Sequence, residues 1–130
     1  MDDKTPQWSE CKRLDFELEM GTIIAQGNEL GQPIKCKDAR DHIFGFCLLN
    51  DWSARDLQKW EYVPLGPFLA KNFASTISAW VITPEALAPF KTALPAQEPT
   101  LLPYLQDNDL SAYDIKLRVG IKTANSTDFH

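Results

Sequence analysis

Hydrophobic and polar residues alternate most regularly in two stretches of the chain. In residues 14–20, four apolar side chains alternate with the carboxylates of Asp15, Glu17 and Glu19, and a similar alternation runs through residues 113–121. A period of two is typical of strands with one buried face. We therefore predict a first strand with three carboxylates on one face, and a long strand near the end of the chain that needs partners.

Shorter apolar runs lie between turn residues and predict further strands. Residues 22–26 lie between two glycines and form a short strand in this prediction. Residues 43–49 are continuously apolar, as in a strand buried on both faces, and residues 76–82 have a strand-like composition. Asp51 follows the 43–49 run, so a polar group emerges at the C-terminal end of a core strand.

Helices are predicted to be short. The spacing Ser53-x-x-Asp56 is typical of a capping box that opens a helix, and the proline-containing turn at 63–67 ends it. One helical turn at 37–42 has Asp38 as its expected cap.

A further short helix over residues 84–88 begins with proline, and residues 90–103 are predicted to be a surface connection. Because no long helix separates the strands, we predict a mainly β (β/α mixed) fold: a mixed, mostly antiparallel β-sandwich or roll with short helices. The predicted organisation is a mobile leader at 1–10, one domain at 11–123 and a frayed tail at 124–130.

Composition narrows the classes of partner and compartment. The 130 residues are 44% hydrophobic with a formal net charge of −5, which argues against nucleic acid or an anionic membrane as partner. Three cysteines without metal-ligand spacing are typical of reduced, mostly buried thiols in a cytoplasmic protein. Apolar runs are too short to span a bilayer, so we expect a soluble cytoplasmic protein that acts on a small molecule.

Candidate chemistry gathers around two regions of the sequence. Carboxylates without a nearby histidine or thiolate suit hard cations, so Glu17, Glu19 and Asp51 favour Mg²⁺ or Ca²⁺ over zinc. On the predicted helix, Arg55 and Gln58 share a face. The simpler alternatives are a solvated strand face for the carboxylates and an ordinary i, i+4 ion pair between Arg55 and Asp51.

Lys71 follows the stiff turn at 63–67, and we expect this turn to fix the direction in which the Lys71 side chain points. The aromatic residues of this region, Trp52, Trp60, Tyr62 and Phe68, are expected to form core and pocket wall rather than a cofactor platform. His42 is the interior histidine of the chain and is a possible general base by residue type alone.

The run Asn50-Asp51-x-Ser53-Ala54-Arg55-Asp56-x-Gln58, with the upstream Glu-x-Glu at 17–19, resembles the fumarylacetoacetate hydrolase family. The residues at 59–69 are similar to the fumarylacetoacetase branch in particular, and the resemblance covers about residues 11–123, the middle part of the catalytic domain. It implies a metal-dependent homodimeric hydrolase that splits the C–C bond of 4-fumarylacetoacetate, a diketo acid, into fumarate and acetoacetate, the last step of tyrosine and phenylalanine catabolism.

The same resemblance implies roles for individual residues. Glu17, Glu19 and Asp51 would bind a divalent metal, and Lys71 with Ser75 would touch a second cation site. The groups implied to hold the substrate are Arg55, Gln58, Tyr62 and Lys71. Asp15 is implied to be a bystander that pairs with a cation or faces water.

Several features depart from the family pattern. Family members usually have glycine at the positions of Ala70 and Ala74, and proline at the position of Ala79. Their water-activating histidine and one metal-binding aspartate lie upstream of the Glu-x-Glu, and His42 does not match that histidine. We therefore expect the chain to be a fragment that is inactive by itself. The alternatives are an acylpyruvate hydrolase, an oxaloacetate decarboxylase, or an inactive metal-binding or interaction module.

Overall fold

The computed structural model describes residue 5 and residues 7–107 and 109–129. These residues form two compact units, Met1–Glu19 with Leu49–Ile77 and Met20–Leu48 with Ser78–His130. The predicted leader at 1–10 and tail at 124–130 fall partly outside the described residues, and the single domain over 11–123 stays a prediction.

Short elements make up both units. The strands are β1 (Leu14–Asp15), β2 (Leu18–Ile24), β3 (Ile43–Asp51), β4 (Ser53–Ala54), β5 (Ser75–Ile77), β6 (Lys91–Ala93) and β7 (Ser111–Tyr113). The α-helices are α1 (Arg55–Glu61) and α2 (Pro84–Leu87), and 3-10 helical turns span Cys36–His42, Ala88–Phe90 and Pro103–Leu105.

Strand pairing is antiparallel. In the first unit β1 pairs with β4, and the end of β3 pairs with β5. In the second unit β6 pairs with β7, and β2 is the neighbour of β3. Antiparallel pairs joined by short helices confirm the predicted mainly β, mixed architecture.

The first alternating stretch is interrupted rather than continuous. The amide of Phe16 donates to the carboxylate of Asp15, and the amide of Glu17 donates to the side chain of Asn50. These bonds take two amides out of the sheet, so β1 ends before them. Strand β2 then runs through Gly21, and the separate strand predicted after that glycine was wrong.

The long strand predicted over 113–121 was also wrong. Strand β7 ends at Tyr113, and the amide of Asp114 makes one further bond to the carbonyl of Phe90. Its partner β6 has only three residues, and it lies inside the segment predicted to be a surface connection. Alternation describes which way side chains point, whereas a strand also needs a neighbour to accept its backbone hydrogen bonds.

Helix starts differ from the predicted caps. Helix α1 begins at Arg55, and Ser53 lies in β4, where its buried hydroxyl donates to the carbonyl of Asp51. The predicted capping box was therefore wrong, as was the cap at Asp38, since the 3-10 turn at Cys36–His42 has no side-chain cap bond.

Other helix boundaries follow the prediction. Helix α1 ends at Glu61, just before the proline-containing turn. Helix α2 begins at Pro84, and the side chain of Thr83 accepts a hydrogen bond from the amide of Ala86. Within the described residues, no helix has the length and apolar character that crossing a membrane requires.

The buried core is small. Among the described residues the buried hydrophobic ones are Cys47, Ala54 and Ala70. The accessible surface is 11200 Å², compared with about 7,000 Å² for a folded monomer of this size. Strand β3 was predicted to be buried on both faces, but Phe44 and Leu48 are 55% and 46% exposed. The chain therefore presents an unusually large apolar surface.

Two further predictions of buried side chains were wrong in part. Trp60, Tyr62 and Phe68 are each more than half exposed, so they do not form a core. All three cysteines are free, as predicted, but Cys11 is exposed and Cys36 only half-buried.

Gly45 in β3 provides a test of packing in the second unit. A Cβ at this position would lie 2.6 Å from Cγ1 of Val81 and 2.7 Å from the carbonyl oxygen of Ile82. That carbonyl is held by the amide of Phe46 at 2.8 Å, so the backbone has little room to move. We predict that Gly45→Ala lowers the free energy of unfolding by about 1–3 kcal/mol, measured by urea denaturation.

The matched control is Gly27→Ala, because a Cβ there would meet no atom within 4 Å. Equal urea midpoints for the two variants would contradict the close packing at Gly45.

Candidate functional site

Three backbone contacts assemble the site in the first unit. Asp51 is the last residue of β3, and it lies directly opposite Ser75 of β5 in the antiparallel register. The amide of Asp51 donates to the carbonyl of Glu17 at 3.3 Å, and the Asn50 side chain accepts from the amide of Glu17 at 3.1 Å. The interruption between β1 and β2 thus places Glu17 against the end of β3.

Carboxylate oxygens converge at this point. Glu17, Glu19 and Asp51 each offer one oxygen, and these three atoms lie within 4.8 Å of one another. Oxygens on opposite sides of a Ca²⁺ ion stand about 4.6–5.2 Å apart, and those around Mg²⁺ are closer together. The donor set therefore fits a hard divalent cation, and the Mg²⁺ or Ca²⁺ site stays a prediction.

Arg55 holds the cluster from the start of α1. Its Nε donates to Asp15 at 2.9 Å, and its Nη2 donates to Glu17 at 2.8 Å. The remaining Nη1 donates to Oε1 of Gln58 at 2.8 Å, which confirms that Arg55 and Gln58 share a helix face. Because α1 begins at Arg55, Asp51 is outside the helix, and the alternative of an i, i+4 ion pair between them does not hold.

Lys71 completes the charge pairing. Its Nζ lies 2.6 Å from Oε2 of Glu17 and 3.4 Å from Oδ2 of Asp51. The side chains of Lys71 and Glu17 are only 20% and 26% exposed, so this pair is less screened by solvent than an ordinary surface ion pair. Glu17 consequently contacts two cations at once, one on each oxygen.

These contacts shift the protonation equilibria of the cluster. The hydrogen bond from Lys71, followed by that from Arg55, lowers the pKa of Glu17 against the opposing effect of burial. Hydrogen bonds from Arg55 and from the amide of Phe16 lower the pKa of Asp15. Asp15 pairs with a cation, Arg55, as predicted, and its role as a bystander to metal binding stays a prediction.

The two cations keep their protons. Burial is the largest single influence on Lys71 and opposes its charge, but the bonds to Glu17 and Asp51 together raise its pKa. Hydrogen bonds to Asp15 and Glu17 raise the pKa of Arg55. Both side chains are therefore permanent positive charges near neutral pH.

Charge counting also favours a divalent cation. Four carboxylates, those of Asp15, Glu17, Glu19 and Asp51, face the two cations of Arg55 and Lys71, which leaves a formal net charge of −2. Each oxygen of Glu17 already accepts one hydrogen bond and retains a second lone pair. The cluster can thus accept a divalent ion without losing its ion pairs.

Two further residues predicted for the site, Tyr62 and Ser75, lie on different elements. Tyr62 follows the last residue of α1 and is about half exposed. Since side chains directly opposite in an antiparallel ladder share a face, Ser75 lies on the same face as Asp51. A protonated Lys71 has no lone pair on its ammonium, so any contact that it makes with a second cation would use its backbone carbonyl.

His42 has a contact of its own in the second unit. Its Nδ1 lies 2.6 Å from the carbonyl of Gln26, which makes this nitrogen the donor. The ring therefore closes a backbone turn, a structural role that needs no catalytic explanation.

Two residues of the site were missed by the sequence analysis. Asn50 binds the amide of Glu17, and Glu61 binds the backbone just before Lys71. The position of Asn50, next to Asp51 in the motif, was an available signal. Glu61 had none, because its contacts depend on the path of the loop after α1.

Comparison with known proteins identifies the family of the chain. A family model described as fumarylacetoacetate (FAA) hydrolase C-terminal matches residues 2–129. Fumarylacetoacetase of Dictyostelium discoideum is 57% identical over 129 residues, which are 98% of this chain and 30% of that protein. Fumarylacetoacetase of Arabidopsis thaliana is 54% identical, over 95% of this chain and 29% of that protein. Fumarylacetoacetase of Homo sapiens is 53% identical, over 93% of this chain and 29% of that protein.

Fold and site together define a mainly β protein with a carboxylate cluster at the end of a strand. The chain belongs to the fumarylacetoacetate hydrolase family, as part of its C-terminal domain. It spans about three tenths of the length of the relatives that it matches.

The charge pairing predicts a specific pH dependence of stability. Contacts with Lys71 and Arg55 lower the pKa of Glu17 below its ordinary value of 4.5. A group with a lowered folded pKa stabilises the fold above its unfolded pKa, and this contribution is lost as the pH falls through the folded pKa. We predict that Glu17→Gln destabilises the metal-free chain near neutral pH but not in acid below the lowered pKa.

The measurement is urea unfolding of wild type and variant at a series of pH values. Glu29→Gln, at an exposed position, is the control and should show no pH-dependent gap from wild type. A gap for Glu17→Gln that stays constant through the acid range would contradict the ion-pair assignment.

Proposed function

We propose that this chain forms part of the active site of a metal-dependent hydrolase that cleaves the C–C bond of 4-fumarylacetoacetate to give fumarate and acetoacetate. The observation that carries the proposal is the cluster of Glu17, Glu19 and Asp51 with Lys71 and Arg55 beside it. The names of the relatives, which are fumarylacetoacetases, support the substrate assignment.

The residues that would hold Mg²⁺ or Ca²⁺ are Glu17, Glu19 and Asp51. When bound, the cation supplies Lewis-acid polarisation of the diketone carbonyl groups. A second cation position at Lys71 and Ser75 is part of the same proposal.

The chain's own cations stabilise charge as the bond breaks. Water adds to the carbonyl carbon on the fumarate side, and the bond from that carbon to the neighbouring CH₂ group breaks. The acetoacetate portion carries the negative charge until it takes up a proton, and fixed positive groups lower the energy of that state. Lys71 and Arg55 are held by Glu17 before substrate arrives, so they need little reorganisation. Because the pKa of Lys71 is raised, it serves as a fixed positive charge rather than as a base or an amine nucleophile.

Gln58 and Tyr62 orient the substrate in this proposal. The carbonyl oxygen of Gln58 is engaged by Arg55, so its amide N–H groups are those it can offer to a substrate oxygen. Tyr62 at the end of α1 presents a phenol to a carboxylate or carbonyl oxygen. A homodimer in the cytoplasm is the proposed context of the complete enzyme.

The decisive test is a chimera. Residues 11–123 of this chain replace the matching segment of the Dictyostelium discoideum fumarylacetoacetase, and loss of fumarylacetoacetate absorbance is followed with Mg²⁺ present. We predict that the chimera is active and that Lys71→Met in it lowers kcat by about a hundred- to a thousandfold, the scale of a lost electrostatic stabiliser.

Lys59→Met on the exposed side of α1 is the matched control and should leave kcat unchanged. A folded chimera that hydrolyses acylpyruvates or decarboxylates oxaloacetate in preference to fumarylacetoacetate would overturn the substrate assignment. An unchanged kcat in Lys71→Met would remove this lysine from the chemistry.

Metal binding is tested on the chain itself. A cation at a hundredfold excess over its dissociation constant adds about 2.7 kcal/mol to the free energy of unfolding. We predict this stabilisation by Mg²⁺ or Ca²⁺ in wild type, its loss in Glu17→Gln/Glu19→Gln, and its retention in the control Glu29→Gln/Glu98→Gln. The measurement is the melting temperature with and without each ion. Equal ion-induced shifts in the two double variants would show that the ion does not bind at Glu17 and Glu19.

A further inference from the structure

Glu61 binds three successive backbone amides. One carboxylate oxygen accepts from the amides of Phe68 and Ala70, both at 2.8 Å, and the other accepts from the amide of Leu69 at 3.3 Å. Consecutive N–H groups that converge on one anion form a nest, a strong and directional way to hold a carboxylate. The nest fixes the backbone immediately before Lys71.

The position of Glu61 in its helix is otherwise unfavourable. It is the last residue of α1, and the C-terminal end of a helix carries partial negative charge that repels a carboxylate. The three amides of the following loop compensate this repulsion. These hydrogen bonds, that from Ala70 first, lower the pKa of Glu61, so the side chain stays charged.

The same loop is fixed on its other side. The carbonyl of Ala70 accepts from the amide of Ala54 at 2.9 Å, and Ala70 is fully buried. The amides of Lys71 and Asn72 donate to the carbonyl of Phe68 and close the turn. Among the described residues, Glu61 is the only side chain that accepts hydrogen bonds from three amides of this turn.

We propose that Glu61 is a positioning residue for Lys71: by holding the backbone of residues 68–70, it sets the ammonium between Glu17 and Asp51. A lysine side chain has four rotatable bonds and reaches many positions, so its placement at 2.6 Å and 3.4 Å from two carboxylates depends on a fixed Cα. A catalytic role of the positioned Lys71 rests on the proposed function, whereas the positioning of Lys71 by Glu61 does not. In a working active site, a displacement of about 1 Å can cost about a hundredfold in rate.

The test measures the accessibility of Lys71 without substrate or metal. The chain is reductively methylated for a short time, and the labelling rate of each lysine is determined by mass spectrometry. In wild type, Lys71 should label slowly because it is largely buried and ion-paired. Glu61→Gln should raise the rate at Lys71 several-fold while the other lysines keep their rates.

Glu85→Gln is the matched control. Like Glu61, Glu85 has a pKa that hydrogen bonds lower, in this case from the backbone and Thr83 at the start of α2. Because these bonds do not involve residues 68–70, its replacement should leave Lys71 labelling unchanged. If Glu61→Gln does not fold, Glu61→Asp serves instead, since it keeps the charge but shortens the reach and should give an intermediate rate.

Hydrogen exchange of the amides of residues 68–70 separates a positioning role from a merely structural one. Faster exchange together with faster Lys71 labelling supports the proposal. Faster exchange with unchanged Lys71 labelling overturns it, as does an equal rise at all lysines. A chimera that fails to hydrolyse fumarylacetoacetate would reject the proposed function and leave the labelling result intact.

Discussion

Glu17 pairs with two cations at once, and this double ion pair connects the elements of the first unit. Its two oxygens engage Arg55, at the start of α1, and Lys71, after the loop that follows α1. The backbone of Glu17 is held in turn by β3. With few buried apolar side chains, the unit relies on partly screened charge pairs and directional hydrogen bonds to place its polar groups.

A site built in this way is polar before any ligand binds. Arg55 and Lys71 occupy one oxygen lone pair each on Glu17, and the net negative charge that remains suits a divalent ion. In the proposed function the carboxylates therefore serve two purposes: they orient Arg55 and Lys71, and they would bind the divalent ion. Glu61 is a further carboxylate that fixes its surroundings, but it binds backbone amides instead of charged side chains.

The exposed apolar surface is large for a chain of this size. An accessible area of 11200 Å² leaves many large side chains in contact with solvent. Surface of this kind is normally covered by further protein. The alternating residues of 115–121 are the clearest case, because their pattern is that of a strand while the described residues give them no strand partner.

The sequence by itself determined what depends on neighbouring residues. Helix α1, the turn after it and the end of β3 at Asp51 were all predictable, because a local pattern of prolines and apolar runs limits the backbone there. The closeness of Glu17, Glu19 and Asp51 was likewise expected from residue type and motif. Tertiary structure decided the partners: Arg55 binds Asp15 and Glu17 rather than Asp51, and Glu61 binds a loop seven to nine residues away. Periodicity specifies the direction in which a side chain points, but the group that it meets is set by the path of the whole chain, through hydrogen bonds between residues distant in sequence.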